Sequence, residues 1–145
     1  MTIKHSIYII IGLIFSLGSC KTYYIPADSF KQQFSVASKL PLKEVATRGP
    51  YGDIVKYNTY SIDYIKCVDK NGNMVELKNS PSLEIRFTDI NNKKSIFYFD
   101  LINVDENFVS GVQSRFATSI RKTIPLNMVK VIEIQDGRKR FSYVN

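Results

Sequence analysis

Beyond Tyr57 the apolar residues of this chain recur mostly with a period of two, the spacing of strands that bury one face. Leu83, Ile85 and Phe87 interleave strictly with Glu84, Arg86 and Thr88, which makes this the clearest strand in the sequence. Tyr60, Ile62 and Tyr64 alternate with Ser61 and Asp63, and the pattern runs on through Cys67 and Val68. The stretch Asp69-Lys70-Asn71-Gly72-Asn73 reads as a hairpin turn, because Asn and Gly accept positive φ at little cost, and Met74 to Leu77 as its return strand. Residues 89–94 turn the Leu83 strand back into residues 95–102, which are apolar on both faces until Asp100, as in a central strand. Phe108 to Val112 and residues 130–134 give further strands, with a single helical turn expected at Pro125 to Met128. Asp136-Gly137 is a hairpin pair, predicted to return residues 138–144 as a basic edge strand. Some seven or eight short strands at roughly ten-residue spacing imply an all-β domain, a small antiparallel sandwich or barrel.

Helical spacing is clear at one place. Phe30, Phe34 and Ala37 form a narrow stripe, predicting one short amphipathic helix over residues 28–38, capped by Asp28 or Ser29 and ended before Pro41. Its aromatic stripe is expected to dock on the domain rather than dip into a bilayer interface, since the stripe is narrow and the chain has no Trp. Ahead of it, residues 22–25 read as a short extended piece that Pro26 ends. After it, Gly49-Pro50-Tyr51-Gly52-Asp53 is a strong loop signal, so residues 43–57 are read as a loop joining helix and body. The expected organisation is a helix and loop over 28–57 and a β domain over 58–145.

The first twenty residues follow neither pattern. Lys4 and His5 precede an apolar run from Ile7 to Phe15, and Leu17-Gly18-Ser19-Cys20 closes it with small residues. That order is a secretory signal. A membrane-spanning helix needs about 20 predominantly apolar residues, and here Gly12, Ser16, Gly18 and Ser19 interrupt a shorter run. The ending resembles the lipobox of bacterial lipoproteins, an aliphatic residue and two small ones before an obligatory cysteine. The resemblance implies removal of residues 1–19 as a signal peptide, with diacylglycerol on the Cys20 sulfur and further acylation of the freed amine. Residues 20–27 would then be a membrane tether, and two or more chains would anchor it stably. Lys21, not aspartate, follows the cysteine, which by analogy with enteric-type sorting favours the outer membrane facing the periplasm. The run from Thr123 to Leu126 and on through Glu133 to Gly137 is also similar to the endings of small uncharacterised bacterial lipoproteins, a likeness that carries no activity.

Composition then removes chemistries. His5 is the single histidine and leaves with the signal, so the mature chain holds no Ser-His-Asp or Cys-His constellation and no histidine zinc site. With Cys20 lipidated, Cys67 is the remaining thiol, read as a small buried hydrophobe. The seven glycines form no phosphate loop. Asp69-x-Asn71-x-Asn73 starts like a calcium loop but has Met74 where glycine is required and Ser80 where glutamate is required. Apart from the covalent lipid on Cys20, no cofactor or metal is implied, and no catalytic residue.

Charge points to partners. The chain carries 20 Lys and Arg against 13 Asp and Glu. The excess concentrates toward the C-terminus, where Arg115, Arg121, Lys122, Lys130, Arg138, Lys139 and Arg140 face only Glu133 and Asp136. In an exported protein Arg121, Lys122, Arg138, Lys139 and Arg140 are a candidate contact surface for anionic lipid or an envelope polymer, not for nucleic acid. The sequence therefore supports a lipid-anchored envelope protein whose β domain is a non-catalytic binding or structural module. One alternative is a subunit of an outer-membrane assembly. A second is a small hydrolase pairing Asp100 with Glu84 or Glu106, with Asp105 also in reach of consideration. Tyr51, Tyr57, Tyr60 and Tyr64 cluster around the first strand, where sheet packing explains them more economically than sugar stacking.

Overall fold

The computed structural model describes residues 21–137 and 139–144. They form an all-β body, 49% in strands, with one helix and several antiparallel sheets that do not close into a barrel. In chain order the elements are β1 (Thr22–Tyr24), α1 (Ala27–Ala37), β2 (Lys43–Arg48), β3 (Ile54–Thr59), β4 (Tyr64–Val68), β5 (Met74–Lys78) and β6 (Leu83–Asp89). Then follow β7 (Lys94–Tyr98), a 3-10 turn (Phe99–Leu101), β8 (Asn103–Val104), β9 (Phe108–Val112) and β10 (Arg121–Pro125). A second 3-10 turn (Leu126–Met128), β11 (Val129–Asp136) and β12 (Ser142–Val144) complete the chain. The central sheet has the order β5-β4-β1-β11-β6-β7, and two three-stranded sheets have the orders β10-β9-β8 and β12-β2-β3.

The alternation at β6 does what its pattern dictates. Leu83, Ile85 and Phe87 are buried with Ile132 and Ile134 of β11, while Arg86 and Glu133 meet at 3.6 Å on the other face. Helix α1 docks its stripe on the buried face: Phe30 lies 5.6 Å from Phe87, and Phe34 lies 5.4 Å from Tyr60 and 5.8 Å from Phe99, ring to ring. Aromatic pairs of this geometry add about 0.5–1.5 kcal/mol each beyond burial. The β10-β9-β8 sheet closes the core from the side of β7. It approaches closely because Gly111 has no side chain; a Cβ there would stand 2.8 Å from Phe97 Cγ. The hairpin turns are also as patterned. Asp69 Oδ1 accepts the Asn71 and Asn73 amides, Asp89 Oδ1 accepts those of Asn91 and Lys93, and Gly72 sits at φ +83.

Several expectations are corrected. Residues 43–57 are not a loop, since β2 and β3 pair in full register from Lys43↔Thr59 to Arg48↔Ile54, with the glycine-proline stretch as their turn. Residues 60–63 are irregular, so Tyr60 and Tyr64 do not share a strand face; Tyr60 packs on Phe34 and Tyr64 is exposed. The strand predicted to run to residue 102 stops at Tyr98 and gives way to the 3-10 turn that carries Asp100. β12 does not fold back on β11. It crosses to pair with β2, from Ser142↔Arg48 to Val144↔Ala46. Helix α1 starts at Ala27 behind Pro26 with no side-chain cap.

β1 has a larger role than a tether. It lies between β4 and β11, pairing Thr22↔Gln135, Tyr24↔Glu133 and Tyr24↔Val68. Pro26 then ends the ladder, and the Gln33 side chain takes over where backbone is missing. It donates to the Lys66 carbonyl at 3.0 Å and accepts from the Lys66 amide at 2.8 Å. That bond pair locks helix to sheet and satisfies a strand left short of a neighbour.

Candidate functional site

The residue that stands out in the sequence as a charge at the end of an apolar strand, Asp100, is the centre of the molecule's main polar cluster. The 3-10 turn after β7 points it inward, and its side chain is 0% exposed. A carboxylate at that depth requires compensation, and Arg115, 8% exposed, supplies it with an Nη2 to Oδ1 contact of 2.5 Å. The phenols of Tyr57 and Tyr143 donate to Oδ2, the latter at 3.4 Å. The Tyr57 oxygen in turn meets the Thr47 hydroxyl at 2.7 Å and accepts from Arg115 Nη1 at 3.2 Å. Arg115 also donates to the Pro81 carbonyl at 2.6 Å and lies over three rings, 4.4 Å from the Tyr98 centroid, 5.1 Å from that of Phe141 and 5.7 Å from that of Tyr57. Burial and the negative charge of Asp100 push the Tyr57 phenol up to about 12, and the same two causes raise Tyr143. Both phenols therefore stay protonated donors at ordinary pH. One ion pair thus joins β2, β3, the turn after β7, the segment after β9, and β12.

In front of this cluster lies a cavity of about 280 Å³. It opens where β3, the outer strand of its sheet, comes near β10, the outer strand of another. Val55, Leu101 and Val112 supply aliphatic surface, and Tyr57, Phe116 and Phe141 aromatic surface. The rings form a chain, with Tyr51 6.5 Å from Phe116, Phe116 6.3 Å from Phe141, and Phe141 5.9 Å from Tyr98. Phe116, on the lining, is 68% exposed, and Tyr51, outside the lining, is 87% exposed. Three cations and one acid also line it, namely Lys56, Arg115, Arg121 and Asp53. Arg115 is neutralised by Asp100, and Lys56 meets Glu44 at 3.6 Å. Arg121 and Asp53 make no side-chain hydrogen bond or ion pair among the described residues.

The basic residues expected to form one surface are used differently. Lys122 turns to Ser95 Oγ at 2.5 Å. Lys139 bonds Glu84 at 2.5 Å and the Tyr98 hydroxyl at 3.0 Å. Burial alone would lower the Lys139 ammonium, but these two partners outweigh it and hold it above the ordinary lysine value. Arg121 and Arg140 are exposed, Arg121 on the cavity wall and Arg140 one residue before Phe141. Arg138 and Cys20 lie outside the described residues.

The candidate carboxylates are dispersed in role. Asp100 is sealed behind Arg115, beyond the reach of a substrate, and Glu84 is held by Lys139. Asp105 accepts the Asn107 and Phe108 amides as a turn residue, and Glu106 is exposed beside it. Cys67 is fully buried on β4, and burial pushes its thiol up to about 11. Among the described residues no group of three or more His, Cys, Asp or Glu side chains could hold a metal ion, and no helix is long and apolar enough to cross a membrane. Sequence reasoning noticed Asp100 but missed its partner. Arg115 sits in a stretch of no clear period, and only the fold brings it to the carboxylate. Comparison with known proteins gives no matching family model, no matching curated protein and no matching solved structure.

Proposed function

We propose that this chain is a lipid-anchored protein of the bacterial cell envelope whose β domain is a non-catalytic binding module held close to a membrane. The observation that carries this reading is the position of β1. The folded sheet begins at Thr22, two residues after Cys20, so a chain cut before Cys20 would keep every described element. Anchor and sheet are then separated by at most about 7 Å of extended chain. This is far shorter than a flexible tether over residues 20–27, because residues 22–24 are already part of the ladder.

Two recesses that share Lys21 border the anchor. Lys21 and Lys70 border one recess with Asp69, and Lys21 and Lys78 border another with Asp136. Asp69 is held ionised by the Asn73 amide and its neighbours, so the acids offset part of this charge but not all of it. A juxtamembrane set of lysines suits anionic head groups, at about 1 kcal/mol each near the surface. In this reading the membrane-facing surface is the one around Lys21, with Lys70 and Lys78 on its two sides. Lys122 and Lys139 are engaged by partners within the domain instead, Lys122 by Ser95 and Lys139 by Glu84 and Tyr98.

The test is incorporation of a labelled fatty acid into the full-length chain expressed in a bacterium. Wild type should take up label and fractionate with membranes, and Cys20→Ser should do neither. Label retained in Cys20→Ser, or no label in wild type, would overturn the anchor. Inserting a flexible twenty-residue linker after Lys21 should preserve labelling but weaken the dependence of surface contact on anionic lipid.

A further inference from the structure

We infer that the cavity between β3 and β10 binds a small aromatic zwitterion, the chemical class of a free aromatic amino acid. The inference deepens the reading of the β domain as a binding module and rests on it. Three observations converge. The cavity holds about 280 Å³, just under the usual range of about 300–1,000 Å³ for ligand pockets, a size for one ring with a short polar tail. Its wall carries the rings of Tyr57, Phe116 and Phe141, and Phe116, 68% exposed, has the exposed Tyr51 ring 6.5 Å away beyond the lining. A ligand ring placed among Phe116, Phe141 and Tyr57 would cover that surface and gain edge or stacked contacts.

The charges decide the rest. On the wall, Arg115 is committed to Asp100, so it orients the rings and offers no net charge to a ligand. Lys56 has Glu44 nearby. The two charged side chains on the lining with no protein partner among the described residues are of opposite sign, Arg121 and Asp53. A guanidinium presents a fork that suits a carboxylate, and a carboxylate accepts from an ammonium. A simple anion would meet Arg121 but face Asp53, and a simple cation the reverse. A ligand bearing both groups beside its ring meets each with its complement. The site is held at its position by β2 and β3 on one side and by the Arg115 network on the other.

The experiment uses the processed protein extracted in detergent, with methyl-labelled Val and Leu, titrated separately with phenylalanine, 3-phenylpropionate, phenethylamine and alanine. Phenylalanine should shift the Val55, Val112 and Leu101 methyl signals saturably with a Kd below about 1 mM, and each of the other probes should bind at least about tenfold more weakly. Arg121→Gln should erase the preference over phenethylamine, and Asp53→Asn the preference over 3-phenylpropionate, with other methyl signals unmoved as a check on folding. No saturable shift with phenylalanine would overturn the proposal, as would equal binding of either singly charged probe or of alanine. The titration reads the cavity whether or not Cys20 carries lipid, so its failure is separable from failure of the labelling test.

Discussion

Replacing Arg115 with Met removes the cation that compensates Asp100 while keeping an unbranched apolar stem in its place. The carboxylate it leaves behind is 0% exposed and retains only the Tyr57 and Tyr143 phenols as donors. Stripping one partner from a buried pair costs about 3–5 kcal/mol. Loss of the guanidinium from the Tyr98 and Phe141 rings and from the Pro81 carbonyl adds about 1–2 kcal/mol. Against a domain stability of about 5–15 kcal/mol, this is a large fraction. In urea titrations followed by far-UV circular dichroism, Arg115→Met should therefore lose about 4–7 kcal/mol, with Tm lower by roughly 10–30 °C. Asp100→Asn keeps an acceptor for both phenols, so the double variant Arg115→Met/Asp100→Asn should be more stable than Arg115→Met alone. A double-mutant cycle should return a coupling of at least about 2 kcal/mol. A loss below about 1 kcal/mol for Arg115→Met, or strict additivity in the cycle, would refute the claim that a desolvated ion pair joins the sheets here.

Alkaline pH should expose Tyr57. Its phenol loses its proton near 10.0 when unfolded and near 12 when folded, so its contribution is complete below pH 10 and falls as pH rises toward 12. The full gap is worth about 2.7 kcal/mol, reduced to about 1–2 kcal/mol by its partial exposure. Tyr57→Phe should flatten, without abolishing, the loss of stability between those pH values, because Tyr143 titrates in the same sense. Gly111→Ala should cost about 1–3 kcal/mol by overpacking, since its Cβ would stand 2.8 Å from Phe97 Cγ on a neighbouring sheet. An unchanged urea midpoint would show that the two sheets can separate freely. The Cys67 thiol, fully buried and pushed up to about 11, should resist a thiol reagent at pH 8 until urea unfolds the domain. Rapid labelling of native protein would mean that β4 opens locally.

The strand of Leu83, Ile85 and Phe87, the helix stripe of Phe30 and Phe34, and the turns at Asp69 and Asp89 were legible in the sequence. Each depends on a short-range rule: side-chain period, or an aspartate bonding amides a few residues on. The β2–β3 hairpin was not, because Lys43 to Thr59 lacks strict alternation and its pairing is completed by β12, contributed from the far end of the chain. Nor was the site. Asp100 was visible as an anomaly, a charge after Phe97, Tyr98 and Phe99, but Arg115 lies 15 residues away and Tyr57 lies 43 away. By itself the sequence determined the all-β class, the single amphipathic helix, the absence of histidine chemistry from the body, and the cysteine on which the anchoring proposal depends. Tertiary structure alone decided that residues 22–24 are sheet rather than tether, that two of the five suspected surface cations serve internal partners, and that Arg121 and Asp53 border one aromatic-lined cavity. Periodicity reports which face a residue turns. It carries no information on which distant face turns toward it, and a buried charge is stabilised only by that second fact.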